Sequence, residues 1–197
     1  MKILAIADEE ARYYYDCYRD GCLDEFDLIL ACGDLKARYL EFIATMAHCP
    51  LLYVRGNHDD HFAAKPPEGC ICIEDKIYEY KGVRILGLGG SYRYRPGDNM
   101  YSEKQMRRRI HKVSLQLWKK KGFDILLTHA PAYGVNDLDN IAHRGFESFL
   151  YLLDKYEPKY FIHGHVHRSY NHKVPQKSAY KDTTVINAYE YCKFDYE

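Results

Sequence analysis

Leu51-Leu52-Tyr53-Val54-Arg55-Gly56-Asn57-His58-Asp59 is an apolar run that stops abruptly in a glycine and three polar side chains. Four apolar residues in a row read as a short strand buried on both faces, the kind found inside a parallel sheet. The pattern recurs. Residues 3–7 precede Asp8, 28–32 precede Gly33-Asp34, 125–128 precede His129, and 160–162 precede His163-Gly164-His165-Val166-His167. Helical segments are expected between these runs, at 35–47, 102–121 and 146–156, the last with Phe149, Leu150 and Leu153 at three- and four-residue spacing. Residues 71–73, 77–80, 83–88, 184–188 and 191–194 read as further strands. Strands alternating with helices predict a layered α/β domain with two sheets, each covered on one face by helices. No repeat or Pro/Ser-rich linker divides the chain, so one domain over 1–197 is expected.

Composition narrows the function. With 28 basic and 28 acidic residues the net charge is zero, so the molecule as a whole lacks the footprint of a polyanion binder. Nucleic acid is therefore a possible but unfavoured partner. No apolar stretch approaches the roughly 18 residues of a membrane span, and the run at the N-terminus is too short for a signal sequence. The expectation is a cytoplasmic protein without membrane contact. Seven cysteines, an odd number without regular spacing, read as reduced thiols. Cys70 and Cys72 alternate with isoleucines and read as strand residues, not as a zinc site. The twenty tyrosines are expected to serve in packing and at the surface.

In open α/β sheets ligands bind beyond the carboxyl ends of the strands, which is where all five abrupt endings would lie. The side chains so collected are Asp8, Asp34, Asn57, His58, His129, His165 and His167. Oxygen and imidazole donors without a thiolate suit divalent Mn, Fe, Co, Ni or Zn, and a carboxylate can bridge two such ions.

Gly33-Asp34, Gly56-Asn57-His58-Asp59, Thr128-His129 and Gly164-His165-Val166-His167, in this order, resemble the successive motifs of the calcineurin-like metallophosphoesterases. The resemblance covers Asp8 to His167. It implies a four-layer sandwich of two mixed β-sheets flanked by helices, and hydrolysis of phosphoric mono- or diesters of small molecules at a dinuclear metal centre with a bridging hydroxide. It further implies that Asp34 bridges two divalent ions, that Asp8 and His167 hold the first, and that Asn57, His129 and His165 hold the second. His58, with Asn57 beside it, would face the phosphate as general acid or charge stabiliser, and Asp59 would orient its ring. The family usually shows Asp-x-His at the first block, where this chain has Asp8-Glu9-Glu10. A ligating Glu10 would favour harder ions such as manganese or ferrous iron; a Glu10 turned away would leave the first ion weakly bound.

Lone histidines are more often structural, and His48, His61, His111, His143 and His172 are read that way, as is His163. Residues 104–109 and 119–121 are read as solvated helix faces. Arg93 and Arg95, and after them Asp137, Asp139 and Arg144, are possible substrate-rim residues. Two rival functions stay open: a nuclease with the same two-metal chemistry, and a scaffold of this fold that binds phosphate or a partner with little turnover.

Overall fold

Runs of Val, Ile and Leu without polar interruption become strands with both faces covered, and they supply the frame of this molecule. A computed structural model describes residues 1–169 and 174–197. In chain order the elements begin with β1 (Lys2–Ala7), β2 (Leu28–Ala31), α1 (Ala37–Met46), β3 (Leu51–Tyr53), β4 (Ile71–Cys72), β5 (Lys76–Tyr80) and β6 (Val83–Leu88). They continue with β7 (Ser91–Tyr92), β8 (Met100–Tyr101), α2 (Glu103–Lys112), α3 (Ser114–Lys120) and β9 (Ile125–Thr128). The last are α4 (Glu147–Tyr156), β10 (Tyr160–His163), β11 (Lys177–Tyr180), β12 (Thr183–Asn187) and β13 (Glu190–Asp195).

Two mixed sheets result. The first has the order β13-β1-β2-β3-β4, parallel except for β13; the second has the order β11-β12-β10-β9-β6-β5, parallel except at its two edges. Ile3, Leu28, Leu30 and Leu52 of the first sheet pack against Ile85, Ile125, Leu127 and Ile162 of the second. On its other face the first sheet offers Leu4, Ile6 and Ile29 to Tyr39, Leu40 and Ile43 of α1 and to Tyr14, Leu23 and Phe26. The second sheet likewise packs Leu86, Leu126 and Phe161 on Met106 and Ile110 of α2, Leu117 of α3 and Phe149 and Leu152 of α4. Helices therefore lie outside both sheets, in the expected four-layer α/β arrangement.

The helix expected at 102–121 is two helices. Ser102 and Gln105 form a capping box at the start of α2, but at Val113 (φ −88°, ψ 0°) the backbone N–H turns to Ile110 O, three residues back, and the α-helical ladder breaks. Its charged face is only partly solvated: Arg109 is buried, donates to Asp75 at 2.8 Å and to Gly89 O at 2.6 Å, and lies over the Tyr101 ring. Strands β7, β8 and β11 carry no apolar run, and sequence periodicity does not mark them.

Backbone hydrogen bonds bring the strand ends together. Asp8 N–H donates to Gly33 O within the first sheet's edge, Gly164 N–H to His129 O within the second's, and His165 N–H crosses between sheets to the Asp8 carboxylate.

Candidate metal centre

Asp8, Asp34 and His165 each have a positive φ, of 65°, 56° and 68°. Non-glycine residues enter this left-handed region at a cost of order 1–3 kcal/mol, which the surrounding structure must offset. Here hydrogen bonds do so. Asp34 N–H donates to Asp59 Oδ2 at 2.8 Å, and Asp34 Oδ1 accepts from His58 N–H at 2.7 Å. Asp8 Oδ1 and Oδ2 accept from His165 N–H at 3.1 and 2.9 Å. Close approach then demands glycine alongside: a Cβ on Gly56 would sit 2.1 Å from Asp34 Oδ1, and one on Gly164 would sit 2.7 Å from Asp8 Oδ2.

Four donors converge on one point. His129 Nε2 lies 3.0 Å from Asn57 Oδ1, 3.1 Å from His165 Nδ1 and 3.4 Å from Asp34 Oδ2, and all these side chains but Asp34 are nearly or wholly buried. The outer nitrogens are committed elsewhere. His129 Nδ1 lies 2.7 Å from Cys32 O, and His165 Nε2 lies 2.7 Å from Ala142 O. A carbonyl only accepts, so both outer nitrogens carry a proton, which leaves the inner ones, His129 Nε2 and His165 Nδ1, as the nitrogens that would give a lone pair to a metal at the common point. Backbone carbonyls that fix an imidazole tautomer in this way are the usual support of a metal-ligating histidine.

Electrostatics asks for a cation there. Burial works against charge on Asp34 and His129 and is the largest influence on each, yet their mutual attraction prevails. The Asp34 carboxyl is held down to about 2 and the His129 imidazole is pushed up to about 9, with Asp8 adding to the latter. His165, by burial first and by the neighbouring positive His129 second, is lowered to about 3. Asp34, His129 and His165 offer ligand atoms within 4.8 Å of one another. A proton on His129 or a divalent ion among these donors answers the same field, so the residues present fit a metal.

The second group is partly open to solvent. Asp8 and Asp34 line a cleft of about 270 Å³ with Asn57, His58, His165 and His167. His167 Nε2 is 3.6 Å from Asp8 Oδ1, and its ring leans on Tyr189 with centroids 5.0 Å apart. Glu10 does not line this cleft. Its Oε1 is shut off from solvent and lies 3.1 Å from Lys36 Nζ, an ion pair without hydrogen-bond geometry. The side chain standing where the resemblance places a histidine is turned to a lysine.

A family model described as calcineurin-like phosphoesterase matches residues 1–169. This chain belongs to that family. Its donors at Asp8, Asp34, Asn57, His129, His165 and His167 fall inside the matched span. Among curated relatives, the UPF0046 protein K07C11.7 of Caenorhabditis elegans is 26% identical over 216 residues, covering 95% of this chain and 69% of its own length. The UPF0046 protein C25E10.12 of the same organism is 26% identical over 188 residues, covering 80% of this chain. The chain spans 62% of that relative's length. Of solved structures, TT1561 of Thermus thermophilus superposes with a TM-score of 0.60 at 15% identity, covering 96% of this chain and 89% of that one. Another superposes at 0.70 with 16% identity, covering 98% and 94%. These likenesses show a shared fold.

Around these donors, His58 is exposed, with Nε2 4.0 Å from Asp34 Oδ2. The resemblance assigns Asp59 to the His58 ring; its Oδ2 instead accepts from the backbone N–H of both Asp34 and Gly56, at 2.8 Å each. Asp59 thus ties the second and third motifs to each other. Arg93 donates to Met100 O at 3.2 and 3.0 Å, which commits it to the β7–β8 pair, while Tyr94 lines the cleft with Arg95 over its ring. Asp137 accepts from Gly134 and Gly145 N–H, and Arg144 lies over Tyr92 and Tyr133, so both serve their own loop. Asp139 lies with them around a separate hollow that none of the candidate metal donors lines.

Histidines read from sequence as structural divide here. His48 pairs with Asp24 at 3.6 Å, His61 packs on Phe62, and His163 is wholly buried, its pKa lowered to about 4 by burial. His172 lies outside the described residues. His143 is the exception: it lines the cleft, its ring centroid 5.2 Å from that of His165. Nothing in the Asn-Ile-Ala-His-Arg-Gly stretch around it distinguishes it from a surface histidine.

Proposed function

We propose that this chain is a metal-dependent hydrolase of phosphoric esters that works with two divalent ions. The observation that carries the reading is the meeting of His129 Nε2, His165 Nδ1, Asn57 Oδ1 and Asp34 Oδ2, with both rings locked from behind by backbone carbonyls. Asp34 supplies the shared carboxylate, its Oδ1 held by His58 N–H and its Oδ2 turned to His129. Asn57, His129 and His165 would hold the second ion; Asp8 and His167 would hold the first. Two divalent ions supply the charge that polarises a phosphoryl group and makes a water acidic near neutral pH.

The chain's own groups do the remaining work. His58 stands exposed at the cleft beside Asn57 and Asp34, placed to give a proton to the departing ester oxygen or to stabilise charge on it. Its backbone is fixed through Asp34, so its ring enters the cleft from a rigid loop. Asp59 holds Asp34 and Gly56 in the geometry that this requires. A cleft of about 270 Å³ has room for the phosphoryl group of a small ester.

The test is a screen of the metal-reconstituted protein, with Mn, Fe, Co, Ni and Zn in turn, against phosphomonoesters, phosphodiesters and cyclic nucleotides. Metal-dependent turnover of at least one class is expected. Binding of metal without turnover of any would favour the scaffold reading, to which the diversion of Glu10 onto Lys36 lends its support.

A further inference from the structure

The connection from β9 to α4 brings a further imidazole to the cleft. Asn140 Oδ1 accepts from His143 N–H at 3.0 Å and lies 2.8 Å from His143 Nδ1. Since that oxygen only accepts, Nδ1 carries a proton and is spent on Asn140, and Nε2 is the nitrogen left for the cleft. The residue just before it, Ala142, gives its carbonyl to His165 Nε2, so the loop is bonded directly to the metal centre. Asp137 closes the loop on Gly134 and Gly145, and Arg144 holds it over Tyr92 and Tyr133. His143 is close enough to His167 and Asp8 for their charges to act on it, while its ring faces His165. It therefore stands near both ligand groups, on a loop of the second sheet, whereas His58 comes from a loop of the first. A side chain so placed on a tightly bonded loop suits recognition better than packing, since His143 remains half-exposed.

We propose that His143 contacts the substrate: its Nε2 meets an oxygen of the phosphoester bound at the metal centre, so that the ester is flanked by an imidazole from each sheet. The proposal rests on the phosphoesterase reading above. Three roles give different outcomes, because phenylalanine keeps a ring against His165 but has no nitrogen, and glutamine restores a hydrogen-bonding group without a titrating one. Metal affinity would be measured by calorimetric titration, and substrate contact by kcat/KM and by the affinity of the metal-loaded protein for inorganic phosphate.

For His143→Phe the expected result is a loss of about 10- to 100-fold in kcat/KM and weaker phosphate binding, the range for a hydrogen bond to a charged group. Both metal affinities should stay at the wild-type values. His143→Gln should recover most of the loss. A His143→Phe variant that binds phosphate and turns over substrate like the wild type makes the ring a packing element and overturns the proposal. One that loses an ion makes His143 part of the metal site and overturns it too. If the metal-loaded wild type itself neither binds phosphate nor hydrolyses any ester, the phosphoesterase reading fails, and this inference falls with it.

Discussion

The two halves of the proposed metal centre differ in burial and in how their donors are held. Around His129 and His165 every ring nitrogen has a partner on a backbone or on a fellow donor, and burial is nearly complete. Around Asp8 and His167, the His167 ring is partly exposed with Nε2 3.6 Å from Asp8 Oδ1, and Glu10 is paired with Lys36 outside the cleft. Orientation set in advance removes the ordering cost of binding, and a missing ligand adds to it. One ion should therefore be held tightly and the other weakly, although both would share Asp34.

Asp34→Asn is the change with the largest expected effect. The amide keeps an oxygen to accept from His58 N–H, so the loop is retained, but the charge shared between the two halves is gone. Both ions should weaken together and turnover should fall to background, with an unchanged circular dichroism spectrum. If both binding events survive, Asp34 bridges nothing.

The next pair separates the halves. His165→Ala should abolish the tight event while leaving the weak one, and His167→Ala should do the reverse, with a loss above about 100-fold for the affected ion, since supporting groups alone are worth 10–100-fold. Calorimetric titration of manganese or zinc reads this directly. Equal damage to both events from either variant would mean that the halves are not distinct sites.

His58→Ala should lower the rate by about 10² to 10⁴-fold, the usual worth of general acid assistance, with metal content intact. Loss of metal would make His58 a ligand, and a near-normal rate with a poor leaving group would remove it from the mechanism.

Glu10 gives the smallest effect and sharpens the comparison most. Because its side chain is already engaged by Lys36, Glu10→Ala should change metal affinity and activity little, whereas Glu10→His should tighten the first ion for every metal tested. A clear loss with alanine would show that Glu10 leaves Lys36 and ligates when metal arrives.

Each ligand proposed for the second ion comes shortly after an uninterrupted apolar strand, and such a run ending in Asp, Asn or His is a local signal. The topology that brings these ends together follows from parallel pairing of the same runs. The meeting of His129 and His165 was therefore legible. The fate of Glu10 was not, because Lys36 lies on a different loop and nothing in either segment states their meeting. His143 was invisible for a similar reason: its place depends on Asn140, Asp137 and Arg144 folding one loop onto the centre. Asp59 was singled out by its motif, but its engagement by two backbone N–H groups depends on how the second and third motifs approach. The break at Val113 turned on one backbone hydrogen bond that helical periodicity does not report.

The most direct test of an asymmetric two-ion centre is a calorimetric titration of the metal-free protein with manganese, repeated with zinc. Two binding events per chain, the first much tighter than the second, with only the tight one lost in His165→Ala, are the predicted result. A single event, or two events of equal affinity that His165→Ala weakens alike, would contradict it.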